Sequence, residues 1–156
     1  MRRTKGRFFI SDEKSLLTGV AVQNLLKQSH WASDYTLEKI EILLSNSFCL
    51  GMFLNEELVG FCRLVTDKVT VTVITDLIID ESLRGKGLGT WLLRCIVDHP
   101  ELKKTSMTLG TPDQDSFYSK FDFDRSSVLQ RVPRPSSKPR KPTGVLKIKP
   151  LRRPDS

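Results

Sequence analysis

A glycine-rich loop at residues 84–90 constrains this chain most, because it joins a strand pattern directly to a helix pattern. The run from Val71 to Ile79 is apolar and β-branched, and Leu88 to Val97 repeats apolar residues at helical spacing. Glycines at 85, 87 and 89 let backbone N–H groups approach a ligand closely. The free N–H groups and the positive dipole end of the following helix point to the same place. The loop therefore predicts a phosphate or pyrophosphate site.

The spacing of the glycines separates three kinds of phosphate-binding loop. A P-loop needs a Gly-Lys-Ser/Thr triplet four residues after a glycine, and the chain has none at that spacing. A dinucleotide loop beginning at Gly85 needs a glycine at position 90, which is Thr90. The third kind is the coenzyme A pyrophosphate loop, Arg/Gln-x-x-Gly-x-Gly/Ala. Arg84, Gly87 and Gly89 fit that pattern, with the required strand before it and helix after it.

From this loop onward the chain resembles the Gcn5-related N-acetyltransferase family, usually called GNAT. In that family a tyrosine follows on a later helix, often in the motif Tyr-x-x-x-Gly-Phe. This chain has Tyr118 and Phe123 at that spacing, with Asp122 in place of the glycine. Aspartate also adopts positive φ angles, so we expect the turn to persist. The resemblance covers roughly residues 8–130.

The resemblance implies the GNAT fold, of class α/β (α+β): a mixed, mostly antiparallel sheet flanked by helices, with acyl-CoA in a V-shaped cleft between the central strands. The residue patterns alone indicate only a mixed α/β chain with a largely antiparallel first half. We predict helices at 16–28, 37–46 (capped by Thr36), 88–97 and 115–120. We predict strands at 7–10, 48–54, 58–66, 69–79 and 106–109, and a last strand from 123 and 128–131.

The 156 residues suffice for one domain with a proper core, which we place at 1–130. Residues 131–156 form a basic, proline-rich tail that we interpret as flexible or loosely docked. This tail holds nine of the 25 Lys and Arg residues but one of the 18 acidic residues, so the rest of the chain is nearly neutral. Contact with nucleic acid, a nuclear import signal and an acidic partner all remain open for it.

Cysteine usage and hydropathy suggest where the protein works. The three cysteines, Cys49, Cys62 and Cys95, lie in apolar surroundings without metal-ligand spacing, which indicates buried free thiols and no metal site. No apolar run reaches the ~18 residues that a membrane span needs, and the start of the chain lacks a signal-peptide core. We expect an intracellular, cytoplasmic protein, and the tail leaves a nuclear location open.

The resemblance also implies the chemistry: acetyl-CoA and an amine bind together, and the amine attacks the thioester directly. It assigns coenzyme A binding to the end of the strand before the loop and to the loop itself. One backbone N–H, of Ile78 or Ile79, is expected to face the thioester oxygen. The cofactor-binding residues predicted in this way are Leu77, Ile78, Ile79, Arg84, Gly85, Lys86, Gly87, Leu88, Gly89 and Thr90.

Two residues are candidates for proton transfer. Tyr118 is a candidate general acid, because a phenol is protonated at neutral pH and can donate to a thiolate. Its alternative is a helix tyrosine that packs on the core. Asp76, just before the cofactor-binding strand end, is a candidate base or amine-binding group, and equally a carboxylate that caps a bulge.

Four further residues are candidates for the acceptor pocket: His30, Trp31, Tyr35 and Asp113. A solvated loop histidine and a core tryptophan are the alternatives for the first two. The function predicted is an acetyl-CoA-dependent N-acetyltransferase acting on a primary amine. A non-catalytic acyl-CoA-binding module, or a nucleic-acid-associated protein acting through the tail, are the alternatives.

Overall fold

The computed structural model of the protein describes residues 1–129, of which Met1–Arg125 form one compact unit. The tail and the last two residues of the predicted final strand lie outside the described part. Six strands form a single sheet whose spatial order follows the sequence. They are β1 (Arg2–Lys5), β2 (Phe8–Ser11), β3 (Phe48–Leu54), β4 (Glu57–Thr66), β5 (Val71–Ile79) and β6 (Ser106–Leu109).

Among the described residues, four α-helices flank the sheet: α1 (Gly19–Leu26), α2 (Leu37–Ser45), α3 (Leu88–Val97) and α4 (Asp115–Tyr118). Thr18 and Thr36 cap α1 and α2, each accepting a backbone N–H hydrogen bond of 3.2 Å from the first turn. The predicted cap at Thr36 is therefore confirmed. Within residues 1–129 there is no helix with the length and apolar character needed to cross a membrane.

The sheet is antiparallel from β1 to β5, and β6 pairs parallel with β5. The parallel step follows from α3, because parallel neighbours need a crossover connection. Leu92, Leu93 and Ile96 of α3 pack in a core cluster on one face of the sheet. Residues of α1 and α2 pack with Phe61 and Ile78 in a second cluster on the other face. The predicted fold class is confirmed.

The structure differs from the sequence prediction in three elements. Strand β1 was missed, because Arg2–Lys5 has no apolar alternation and forms a strand through its pairing with β2 across a turn at Gly6. The helix predicted at 16–28 begins at Gly19, after a short 3₁₀ turn. The last strand is wrong for the residues described, since 122–129 contain no strand. Val128 and Leu129 lie in solvent and find no core to pack against.

A bulge in β5 shapes the centre of the sheet. Phe61 pairs with Ile78 and Arg63 with Thr75, so Cys62 faces the two residues Asp76 and Leu77. Asp76 adopts a left-handed φ of 52°, and such a bulge bends the strand and increases its twist. Because β6 ends opposite Ile74, the part of β5 after the pairing has an open edge on that side. A cleft forms between β5 and β6 at this edge.

The three cysteines are buried, free thiols, as predicted. Burial raises the pKa of Cys49 to about 11 and raises the pKa of Cys62 and of Cys95 as well. The thiols therefore stay protonated at neutral pH, and none of them lines the cleft.

Candidate functional site

The cleft at the open edge of β5 has a volume of about 980 Å³. Its walls come from the end of α1, from β5, from the glycine-rich loop with the start of α3, and from the segment between β6 and α4. It brings together nearly all of the residues that the sequence singled out. These are His30, Trp31, Asp76, Leu77, Ile78, Ile79, Arg84, Gly85, Gly87, Leu88, Gly89, Thr90, Asp113 and Tyr118. Tyr35 and Lys86 are not among the lining residues.

The glycine-rich loop has the backbone geometry of an anion site. Gly85 and Gly87 both have a φ of 76°, and Gly87 is the N-cap of α3. A side chain at either position would be strained, although nothing lies within 4 Å of where its Cβ would stand. Within the described residues, the N–H groups of 85–90 donate no hydrogen bond. Free donors therefore face the cleft where the dipole of α3 is positive.

The charged side chains of the loop are anchored to nearby backbone. Arg84 donates from Nε to the carbonyl oxygen of Ile79 at 3.0 Å, which fixes its guanidinium beside the end of β5. Lys86 donates from Nζ to the carbonyl of Ser82 at 3.4 Å and stays exposed. Arg84 is the one arginine or lysine on the cleft wall formed by the described residues.

The open edge of β5 presents backbone groups to the cleft. The N–H of Asp80 is directed toward β4, where it donates to the carbonyl of Val59 at 2.8 Å. Because successive residues of a strand direct their N–H groups to opposite sides, the N–H and carbonyl of Ile79 face the open side. The Arg84 contact to the Ile79 carbonyl agrees with this direction. Of the two predicted thioester-facing residues, the geometry favours Ile79.

Tyr118 lies on the far wall, at the end of α4. Its ring packs edge-on against Phe117 at 4.9 Å and Phe123 at 5.9 Å between ring centroids. Its hydroxyl makes no hydrogen bond to any residue from 1 to 129. Burial raises the pKa of the Tyr118 phenol, which keeps it protonated over a wide pH range. Asp122 has a φ of 63°, so the turn expected after the tyrosine is present despite the missing glycine.

Asp76 is buried in the bulge, and both of its carboxylate oxygens are engaged. Oδ2 accepts from Arg63 Nε at 2.7 Å, and Oδ1 accepts from Trp31 Nε1 at 3.2 Å. The Asp76 side chain is 3% exposed and that of Arg63 is 15% exposed, so this is a buried ion pair. A buried carboxylate needs such partners. The contacts agree with the carboxylate that caps a bulge, and its role in proton transfer stays a prediction.

The other candidates for the acceptor pocket have different surroundings. Trp31 is 43% exposed and its ring stands edge-on to His30 at 5.1 Å, so it is a wall of the cleft instead of a core anchor. Asp113 is exposed on the opposite rim. Tyr35 turns away from the cleft and packs on the core cluster of α1 and α2, with Lys39 Nζ 3.5 Å from its ring centre.

Two residues of the site had no signal in the sequence. Arg63 was missed because it becomes a partner of Asp76 only through the pairing of β4 with β5. Gln28 was missed because its partners lie more than 50 residues away: its amide donates to Asp80 and accepts from the N–H of Glu81, both at 2.9 Å. The Gln28 hydrogen bond lowers the pKa of Asp80 and ties the end of α1 to the turn before the loop.

A group of potential metal ligands also lies away from the cleft. The ligand atoms of Asp12, His99 and Glu101 lie within 4.8 Å of one another. Asp12 and His99 are hydrogen-bonded at 2.8 Å, and Glu101 pairs with Lys68 at 2.5 Å. The N–H of Glu101 donates to the other ring nitrogen of His99. These contacts already satisfy the group, and we interpret it as structural.

Comparison with known proteins identifies the family. Residues 20–123 match the Acetyltransferase (GNAT) family, and the chain therefore belongs to it. A relative in Gibberella zeae, "Putative acetyltransferase FG08082", is 26% identical in an alignment of 113 residues, and the match covers 60% of this chain and 64% of that protein. The chain thus spans less than two thirds of that relative's length.

Solved structures of the same fold agree with this assignment. A GNAT-family protein of Xanthomonas campestris pv. campestris superposes with a TM-score of 0.74 at 26% identity, covering 80% of this chain and 92% of its own. Glucosamine-6-phosphate N-acetyltransferase of Arabidopsis thaliana superposes with a TM-score of 0.60, covering 80% of this chain and 97% of its own. At 19% identity, the second comparison shows the fold alone.

Proposed function

We propose that this GNAT protein transfers the acetyl group of acetyl-CoA to a primary amine, with both substrates bound at once. The observation that carries the proposal is the row of N–H groups at residues 85–90, which have no acceptor in the described part of the chain and adjoin the open edge of β5. The exposed carboxylate of Asp113 on the opposite rim suits a cationic amine.

The residues of the cleft fit coenzyme A. Its pyrophosphate matches the N–H groups and the positive helix end at Gly87, with Arg84 adding a fixed charge. The amides of its pantetheine arm match an open strand edge, which can pair with an extended ligand as with an added strand. Leu77, Ile78 and Ile79 supply that edge. When bound, acetyl-CoA supplies an acetyl group activated as a thioester.

The N–H of Ile79 is placed to stabilise negative charge on a carbonyl oxygen. It faces the open side of β5, and the β5 backbone that carries it is fixed by pairing with Gly60. A fixed donor of this kind contributes more than a water molecule does, because it needs no reorganisation as charge develops. Removal of one such donor typically costs ~10²-fold or more in rate.

Tyr118 is proposed to hold the proton that the leaving thiolate takes up. Its phenol lines the cleft, has no other hydrogen-bond partner among the described residues, and is kept protonated by its raised pKa. Asp76 has both oxygens engaged and is paired with Arg63, so its proposed role is to hold Trp31 in place. The loss of the amine proton is assigned to solvent at the open rim by Asp113.

A thermal-shift titration with acetyl-CoA, CoA and NAD tests the binding half of the proposal. We expect stabilisation by acetyl-CoA and by CoA but not by NAD, because only ligand that binds the folded state raises the melting temperature. A thiol-release assay against a panel of amines tests the transfer. Binding without release from any amine would favour a non-catalytic acyl-CoA module, and no stabilisation by either CoA species would refute the site.

A further inference from the structure

The acceptor side of the cleft lies on the sheet face that α1 covers, opposite the face that carries α3. Its wall is formed by Trp31, Val73 and Thr75 on one side and by the segment after β6, from Thr111 to Gln114, on the other. Val73 is 37% exposed although it stands in the middle of β5. The wall therefore combines apolar side chains with the hydroxyls of its threonines, and a carboxylate, Asp113, lies at its rim.

Trp31 has an unusual position for so large an apolar side chain. Its single polar atom, Nε1, is occupied by the buried Asp76, so the indole offers the cleft only its π surface. Asp76 is in turn fixed by Arg63, and His30 supports the ring from the side. The result is an exposed ring whose orientation is set by three contacts. Such a ring binds a cation or an alkyl chain without first having to be ordered.

The charges on this side have one sign. The acceptor wall carries no lysine or arginine within residues 1–129, because the positive charge of the cleft belongs to Arg84 on the cofactor side. Arg63 is already neutralised by Asp76. Asp113 has only a 3.4 Å contact from the Gln114 amide and no ion pair to a described residue. An acceptor bearing a phosphate or carboxylate would meet this carboxylate and find no positive partner on the wall formed by residues 1–129.

From these three observations we infer that the acceptor is a primary alkylamine, an ammonium group on a methylene stem without an anionic group, and that Trp31 determines this preference. The inference rests on the proposed function and narrows it. The methylenes pack on Trp31 and Val73, and the ammonium lies between the indole face and Asp113 until its proton is lost. The lysine side chain of a peptide and a free alkyldiamine share this chemistry.

The test uses a matched pair of acceptors, hexylamine and 6-aminohexanoate, which share a methylene stem and differ in the carboxylate. The affinity of each for the full-length protein saturated with CoA is measured by calorimetry, and acetylation by thiol release. We expect hexylamine to bind at least tenfold more tightly than 6-aminohexanoate, and Asp113→Asn to narrow that gap. Equal or tighter binding of 6-aminohexanoate, or of glucosamine 6-phosphate, would overturn the inference.

Variants of Trp31 test its role independently of turnover. Trp31→Leu removes the ring and is expected to weaken hexylamine binding about tenfold, within the range measured for cation–π contacts, while CoA affinity is unchanged. Trp31→Phe keeps a ring but loses the bond to Asp76, and its effect should be smaller. Tyr35→Leu is the matched control, because it alters the same loop outside the cleft. Unchanged hexylamine affinity in Trp31→Leu would exclude Trp31 as the determinant.

Failure of the proposed function and failure of the acceptor preference give different experimental results. If acetyl-CoA does not stabilise the protein, the proposed function itself is wrong. If acetyl-CoA stabilises it but an anionic amine is preferred, only the inference about Trp31 and Asp113 is wrong. If hexylamine is preferred as expected, a capped lysine peptide without other charged groups and 1,6-diaminohexane distinguish the two sources of the alkylamine, since the better substrate identifies a protein or a small-molecule acceptor.

Discussion

The two sides of the cleft are built in different ways. The cofactor side lies within one stretch of the chain, from Leu77 at the end of β5 to Thr90, and its loop offers backbone N–H groups whose direction follows from glycine φ angles and a helix start. The acceptor side assembles Trp31, Asp76 and Asp113 from three distant positions, and it depends on side chains fixed by other side chains. The cofactor side should therefore tolerate changes in neighbouring side chains, whereas each contact of the acceptor side can be lost by one substitution.

The largest effect is expected from Gly87→Glu, which disturbs the loop backbone that carries the free N–H groups of the cofactor side. The substitution forces a side chain onto a φ of 76° and puts a negative charge at an anion site. We expect the acetyl-CoA thermal shift and the thiol release to disappear. Gly6→Glu is the matched control, since Gly6 has a φ of 59° in a distant turn and shares only the backbone cost. If both variants keep the thermal shift, the loop does not bind the cofactor.

Tyr118→Phe tests the proton donor that stands between the two sides. We expect kcat to fall ~10²-fold or more, the usual contribution of a positioned acid, while the KM for acetyl-CoA changes little. Stability should hardly change, because the hydroxyl has no hydrogen-bond partner within residues 1–129. Tyr35→Phe, which alters the chain's other tyrosine outside the cleft, should leave kcat unchanged. A kcat equal to wild type in Tyr118→Phe would remove the tyrosine from the mechanism.

Arg63→Met tests whether the acceptor side depends on its buried ion pair. The substitution leaves the Asp76 carboxylate buried with Trp31 as its remaining partner, and we expect a loss of about 3 kcal/mol in the free energy of unfolding by urea. Asp76→Asn in the same chain should restore much of this loss, because asparagine also adopts positive φ. Lys68→Met, at an exposed pair with Glu101, should change the urea midpoint little. A similar loss of stability in Arg63→Met and Lys68→Met would contradict the claim that the buried pair contributes more than the exposed pair.

The smallest effect is expected for the pH dependence of kcat, which ionisation of Tyr118 should limit only in alkaline solution. Burial raises the pKa of this phenol above its ordinary value near 10. We therefore expect kcat to be independent of pH around neutrality and to fall only in strongly alkaline buffer. Alkaline pH should also lower the free energy of unfolding, because the folded protein holds the phenolic proton more tightly than the unfolded chain does. Its contribution is complete below pH ~10 and is lost as the pH rises through the folded-state pKa. A kcat profile to pH 11, with Tyr118→Phe lacking the limb, provides the measurement.

Much of the cofactor side could be predicted from the sequence, because its determinants are local. Glycine spacing fixes which residues can adopt positive φ, and the apolar periods on either side identify the strand and the helix. The same holds for the cap at Thr36 and for the turn at Asp122, where aspartate adopts the angle that the family gives to glycine. The tyrosine came from its spacing after the loop and a resemblance, not from its own surroundings.

The sequence by itself determined the class of fold and the position of the phosphate loop, since these depend on contacts between near neighbours in the chain. Only the tertiary structure decided that Asp76 lies in a bulge with Arg63 and Trp31, that Tyr35 turns away, and that β5 keeps an open edge. The pairing of β4 with β5 brings Arg63 to Asp76 across 13 positions, and the packing of the loop after α1 against β5 brings Trp31 to Asp76 across 45 positions. No local pattern encodes either contact. The exposure of Trp31 was likewise decided by the tertiary structure, because Trp31 lies on the wall of the cleft at the open edge of β5.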